Sequence, residues 1–202
     1  MSKDVRRPGL CRISTWNRRP DMEFLPTNIA GAFKVRHDLR TDERGRFKRQ
    51  YCEREFAAAG LNTHWVQVNH SVTLGRGSVR GMHFQRPPAT EAKLVSCSSG
   101  CAVDVAVDLR RGSDTFLRWA SVEIDEATSF YIPEGCAHGF QTLCDEVHLI
   151  YLHSAFYLSD AEDGVRFDDP GIAIEWPLPI GTVSARDRGF ALITGDFEGI
   201  KL

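Results

Sequence analysis

The stretch Cys101-Ala-Val-Asp-Val-Ala-Val-Asp-Leu-Arg110 sets Val103, Val105, Val107 and Leu109 at alternate positions, with Ala102, Asp104, Ala106 and Asp108 between them. Successive side chains of a strand point to opposite faces, so this alternation reads as a β-strand half-buried on its valine face. Working outward, comparable runs fall at 63–73, 79–85, 116–124, 129–132, 138–143 and 147–157, punctuated by the turn formers GRGS, RPPAT, RRGSD and PEG. Only 54–59 and 184–190 read as short helices. Many closely spaced strands with almost no helix between them predict an all-β antiparallel sandwich or barrel rather than a parallel α/β sheet.

The chain of 202 residues, 42% apolar, is long enough for one sizeable core and does not demand a second domain. Residues 26–202 are therefore expected to form a single domain. Residues 1–25 carry five arginines and two prolines with little periodicity, which predicts a flexible N-terminal arm or one ordered against a partner subunit. The net charge of −2 gives no electrostatic footprint for nucleic acid. No stretch has the apolar length of a signal peptide or of a membrane span, so a cytoplasmic protein without membrane attachment is expected. Six cysteines, at 11, 52, 97, 101, 136 and 144, form no CxxC pair, and a chain of this size needs no disulfide staples. They read as reduced thiols; Cys136, near His138, is a buried hydrophobe on one reading and a thiolate nucleophile on the other.

Two segments carry the candidate chemistry: Gly77-Ser-Val-Arg-Gly-Met-His83-Phe-Gln85 and Ile132-Pro-Glu-Gly-Cys-Ala-His138-Gly-Phe140. Together they resemble the two signature segments of the cupin superfamily. Metal-dependent cupins use a His-x-His pair in the first segment and a further histidine in the second. Here the second member of the pair is Gln85, whose amide is a poor transition-metal ligand, so His83 and His138 alone make too thin a shell. The resemblance then narrows. VRGMHFQ, AKLV, VDVAVDLRRGSDTF, IPEGCAHGF and FDDPGIAIEWPL follow one another in the order and near the spacing of the dTDP-4-dehydrorhamnose 3,5-epimerase family, over residues 25 to 190.

That resemblance implies a cupin jelly-roll barrel (a double-stranded β-helix), usually a homodimer exchanging N-terminal strands. It implies action on a nucleotide-linked 4-keto-6-deoxyhexose without metal or organic cofactor. Inverting a carbon beside a ketone requires a base on one face, stabilisation of the enolate oxygen, and an acid on the opposite face. By resemblance His83 is the base, Asp187 of SARDRGF its orienting partner, Lys93 of AKLV the stabilising cation and Tyr151 of LIYLHSAFY the acid. Tyr157 is a reserve phenol, and His138 adds a hydrogen bond to the sugar or to its own scaffold. Arg44 and Phe47 of DERGRF, Gln67 and Asn69 of VQVNHS, and Arg80 match family positions that face the nucleotide. Strand parity puts Arg80 on the face opposite His83, so both can reach a ligand only if the strand bulges between them.

The chain departs from the family at two places. Arg49 stands where the family has an acid, changing the sign of charge at one end of the pocket or decorating its rim, and Ser96 stands where it has an arginine. These departures predict a kept reaction type with an altered substrate. Three alternatives stay open at this level: a single-centre epimerase on a different sugar nucleotide, a metal-dependent cupin oxygenase or isomerase using His83 and His138, and a non-catalytic sugar-binding cupin.

Overall fold

A computed structural model describes residues 21–202. The described chain runs β1 (Met22–Pro26), β2 (Phe33–His37), β3 (Arg40–Asp42), β4 (Gly45–Phe47), α1 (Glu53–Ala58), β5 (Gln67–Leu74), β6 (Val79–Gln85) and β7 (Lys93–Ser99). It continues β8 (Ala102–Asp108), β9 (Trp119–Ile124), β10 (Thr128–Ile132), β11 (Cys136–Thr142), β12 (Glu146–His153), β13 (Glu162–Gly164) and α2 (Ala185–Arg188). A six-stranded sheet, ordered β1-β2-β10-β7-β12-β5, faces a five-stranded sheet, ordered β13-β6-β11-β8-β9, and β3 with β4 forms a separate hairpin. Every pairing within these sheets is antiparallel, which makes the molecule an all-β jelly-roll barrel of the cupin type.

Three apolar clusters explain why the sheets stay together. The first, including Val95, Ala106, Ile124, Phe130, Phe140 and Leu149, fills the space between them. The second lies on the outer face of the five-stranded sheet, where Met82, Val105, Val107 and Leu109 meet Val165, Ile172 and Ile200 of the C-terminal segment. The third covers the outer face of the six-stranded sheet with α1, whose Phe56 is fully buried against Val35, Leu94 and Tyr131. A buried side chain of that size contributes on the order of 2–3 kcal/mol.

The strand at 101–110 is thus buried on both faces rather than half-buried. Val105 and Val107 pack outward under the C-terminal segment, while Ala102 and Ala106 face the inter-sheet core with Asp104. The sequence could not announce that a later segment would cover the second face. Other boundaries shift. Residues 63–66 and 116–118 lie outside the strands, and β12 ends at His153 rather than continuing to residue 157. β7, whose KLVSCSS lacks alternation, was not among the expected strands, and neither were β1 to β4 or β13. Of the expected arm, residues 1–20 lie outside the described residues, while residues 22–25 belong to β1, paired with β2.

Candidate active site

The bulge that parity required is present in β6. Against β11, His83 faces His138 and Arg80 faces Phe140, so three steps along β6 match two along β11. The extra residue lies where Gly81 and Gly139 pack backbone against backbone: a Cβ on Gly81 would sit 2.4 Å from the Cα of Gly139. Gly81 also has φ +126°, which side chains disfavour. Because of this bulge, Arg80 and His83 both line a cavity of about 580 Å³ between the sheets, within the range of small-molecule sites.

His83 and Asp187 meet by geometry as well as by resemblance. Nε2 of His83 donates to Oδ1 of Asp187 at 2.8 Å, and the Gly81 N–H donates to Oδ2 at 3.1 Å. Asp187 sits in α2, whose start is capped by the Ser184 hydroxyl accepting the Asp187 N–H at 3.0 Å. Burial opposes the charge of Asp187, but the bonds from His83 and Gly81 prevail and hold its carboxyl at about 2. With Nε2 carrying the proton toward Asp187, Nδ1 is the ring nitrogen left to accept another. Arg186 lies 3.0 Å from the same Nε2 but spends its guanidinium on Glu162, at 2.9 and 3.0 Å.

The wall opposite is built from β5, β7 and β12. Tyr151 donates to or accepts from Ser71 at 3.1 Å. Burial pushes its phenol above the ordinary value, while the Ser71 bond and the nearby Arg80 charge pull it back. Lys93, 6% exposed, donates to the His83 carbonyl at 3.4 Å and pairs with Glu91 at 3.2 Å. His138 donates through Nε2 to Asp104 at 2.7 Å, and its ring lies edge-on to Tyr151 with centroids 6.0 Å apart. Burial pushes Asp104 up and His138 down, and each opposes the shift of the other.

Asn69 and Tyr157 also line the cavity, and Tyr157 donates to Glu162 at 2.8 Å near the mouth. Gln67 stands just behind, donating to Asn69 at 3.2 Å and accepting from the Tyr157 N–H at 3.1 Å. Arg44 and Phe47 do not join them within this chain. They belong to the β3–β4 hairpin, where Arg44 pairs with Asp42 at 2.6 Å and Phe47 is 64% exposed. Nor do the two departures line the cavity. Arg49 pairs with Asp21 and Glu55, and Ser96 is buried against Ser129 at 2.6 Å and beside Gln50.

Gln85 lines the cavity with its polar atoms already committed. Its amide nitrogen donates to the carbonyls of Ala89 and Phe156, and its oxygen accepts from Leu158 N–H. It cannot replace the missing histidine of a metal site, and no cluster of three metal-ligating side chains occurs among the described residues. Cys136 is buried, with its thiol pushed up to about 12 by that burial, which leaves it a small core side chain rather than a nucleophile.

Sequence reasoning missed Asp104, Glu91, His153, Glu162 and Arg186. The signals were faint: Asp104 is an acid on the alanine face of a strand, Glu91 precedes Lys93 by two, and His153 follows Tyr151 by two. Only the cavity gives these positions a common purpose.

The family profile described as dTDP-4-dehydrorhamnose 3,5-epimerase matches residues 26–194. The chain is 39% identical to a dTDP-4-dehydrorhamnose 3,5-epimerase of Methanothermobacter thermautotrophicus, over 84% of this chain and 94% of that protein. It is also 39% identical to a dTDP-4-dehydrorhamnose 3-epimerase of Streptomyces niveus, over 85% and 84%. In three dimensions it is similar to the crystal structure of a 4-keto-6-deoxy sugar epimerase from the novobiocin gene cluster of Streptomyces spheroides, with a TM-score of 0.81, 39% identity and coverage of 87% and 89%.

Proposed function

Because the chain belongs to the dTDP-4-dehydrorhamnose 3,5-epimerase family, we propose that it inverts C3, C5 or both of a dTDP-4-keto-6-deoxyhexose by proton transfer through an enolate, in deoxysugar biosynthesis of the dTDP-rhamnose type. It is an isomerase of the sugar-nucleotide epimerase class. His83 removes the proton beside the ketone, and Asp187 holds its ring and stabilises the imidazolium that forms. Lys93 offsets the charge growing on the enolate oxygen. Tyr151 returns a proton from the other wall. The observation that carries this reading is that a histidine held at 2.8 Å by a carboxylate faces a partly buried tyrosine across one cavity, with a lysine beside them.

Arg80 and Asn69 at the cavity, with Gln67 behind them, suit a diphosphate and a base as guanidinium and amide donors. Arg44 and Phe47 reach a ligand by another route: a homodimer in which the β3–β4 hairpin of one chain enters the cavity mouth of the other. The exposed edge strand β5, with Val68 65%, Val72 44% and Leu74 66% exposed, supports such a partner surface. A cytoplasmic location fits the five free cysteines among the described residues. Residues 26–202 act as one catalytic unit.

The test is proton NMR of the protein with dTDP-4-keto-6-deoxyglucose in deuterium oxide, following C3 and C5 separately. Loss of both signals identifies a 3,5-epimerase, and loss of one a single-centre enzyme. A folded protein that exchanges neither overturns the proposal.

A further inference from the structure

Besides the His83–Asp187 and His138–Asp104 pairs, the cavity holds a third imidazole–carboxylate dyad, on the wall opposite both, that the mechanism above does not use. Nδ1 of His153 donates to Oε2 of Glu91 at 2.8 Å, and Oε1 of the same carboxylate takes Lys93 at 3.2 Å. All three side chains line the cavity. Glu91 and Lys93 are almost wholly shielded, and the His153 side chain is 12% exposed. The dyad is therefore not a solvated surface pair. Burial works against the charge on Glu91, but the bond from His153 and the nearby lysine outweigh it and keep the carboxyl below its ordinary value. A carboxylate so placed holds Nδ1 of its histidine and stabilises the imidazolium, in which Nε2 also carries a proton; Nε2 faces the cavity beside the side-chain amide of Asn69, 3.3 Å away.

The placement of this dyad gives it a distinct role. His83 and Asp187 belong to the β6 side of the cavity, whereas His153 stands on β12, two residues beyond Tyr151 on the same strand face. The rings of Tyr151 and His153 lie nearly parallel, 23° between planes and 6.1 Å between centroids. One wall thus presents two proton-bearing groups side by side, opposite His83.

We infer that His153, held by Glu91, is a second catalytic acid on the Tyr151 wall, so that the two carbons flanking the ketone are reprotonated by different residues. This rests on the epimerase reading. The step balances without any co-reactant. His83 takes the C–H proton as that electron pair enters the enolate, and the enolate carbon takes the Nε2 proton of the His153 imidazolium. Neutral His153 and protonated His83 then reset through solvent. Glu91 acts through His153 and is a positioning residue.

Base and acid are separable experimentally, because exchange at a carbon needs only the base whereas inversion needs a donor on the opposite face. With dTDP-4-keto-6-deoxyglucose in deuterium oxide, His153→Gln is expected to slow inversion at one of C3 and C5 by at least about tenfold. Deuterium continues to enter at that same carbon, and the other centre stays within about twofold of wild type. Glu91→Gln moves the C3-to-C5 inversion ratio the same way by a smaller factor. In the wild-type protein, the Nε2 nitrogen-15 signal of His153 shifts when the sugar nucleotide binds, a readout that does not depend on any variant folding. An unchanged inversion ratio, equal slowing at both centres, a raised KM alone, or a silent Nε2 signal at saturation each overturns the inference and leaves the epimerase reading standing. Wild-type protein that exchanges at neither carbon removes that reading, and this inference with it.

Discussion

His83 would be an ordinary half-buried imidazole but for Asp187, and Asp187 would not tolerate burial but for the proton-bearing groups that hold it. The consequence for activity is sharp. His83→Ala is expected to lower deuterium entry at the reacting carbons by at least about a thousandfold in protein that still folds, with a lowered melting temperature because buried Asp187 loses a partner; retained exchange would remove His83 as the base. Asp187→Asn keeps the shape but loses the charge that fixes the tautomer, and a fall in kcat of roughly a hundredfold or more with little change in KM is expected. Stability carries a matching signature. The Asp187 carboxyl titrates at about 2 in the fold against 3.8 ordinarily, so its contribution is complete above about pH 4 and is lost as the pH falls toward 2. Both His83 and Asp187 were legible in the sequence, because two short segments stand in register with a known family. His153 and Glu91 were not. No local rule distinguishes a histidine facing a cavity from one facing solvent, and their pairing spans 62 residues.

At the scale of single elements, the β6–β11 crossing positions the site. Strand parity argued that Arg80 and His83 needed a bulge to share a face, and the register shift between Gly81 and Gly139 supplies it. Gly139→Ala would press a Cβ to 2.6 Å from the Arg80 carbonyl and the Met82 sulfur, so a loss of about 1–3 kcal/mol is expected by denaturant titration. Activity should fall further than stability, since His83 and His138 flank the distorted pair; a variant with wild-type kcat would show that the bulge does not set the geometry. The end of β8 offers a second test. Buried Asp108 accepts from the Arg110 side chain at 2.8 Å, from Ser113 at 2.6 Å and from Thr115 at 2.6 Å, tying down the loop that follows. Burial raises its pKa, but these bonds prevail and lower it from 3.8 to about 2. Asp108→Asn should therefore destabilise the protein by on the order of 2 kcal/mol at pH 7 and flatten the loss of stability between about pH 4 and 2. Melting curves whose acid limb is unchanged would count against this. The strand character of 101–110 and 79–85 was plain from alternation, whereas β7 was hidden because a strand buried on both faces need not alternate.

Two features stand at the surface of the described residues: the β3–β4 hairpin, tied down through Arg40 to Asp21 and Arg46 to Glu126 but carrying Arg44 and the exposed Phe47 away from the cavity, and the apolar edge of β5. Sequence resemblance aimed Arg44 and Phe47 at the nucleotide, yet in a single chain they stand outside the cavity. The proposed symmetric dimer would reconcile the two, since each hairpin would then serve the other chain's site. Such an arrangement makes each complete site a composite of His83 from one chain and Arg44 from its partner. His83→Ala and Arg44→Ala should each be nearly inactive alone, the second mainly through a raised KM. When the two variants are unfolded together and refolded as a mixture, about half the dimers are mixed. Every mixed dimer has one site with both lesions and one with neither, so about a quarter of all sites should recover wild-type turnover. If Arg44 served its own chain, no site in the mixture would be intact and activity would stay at the level of the separate variants. Placing a charge on the apolar β5 edge, Val72→Lys, should lower the restored activity at micromolar protein by weakening the dimer, with a shift toward the monomer in sedimentation velocity.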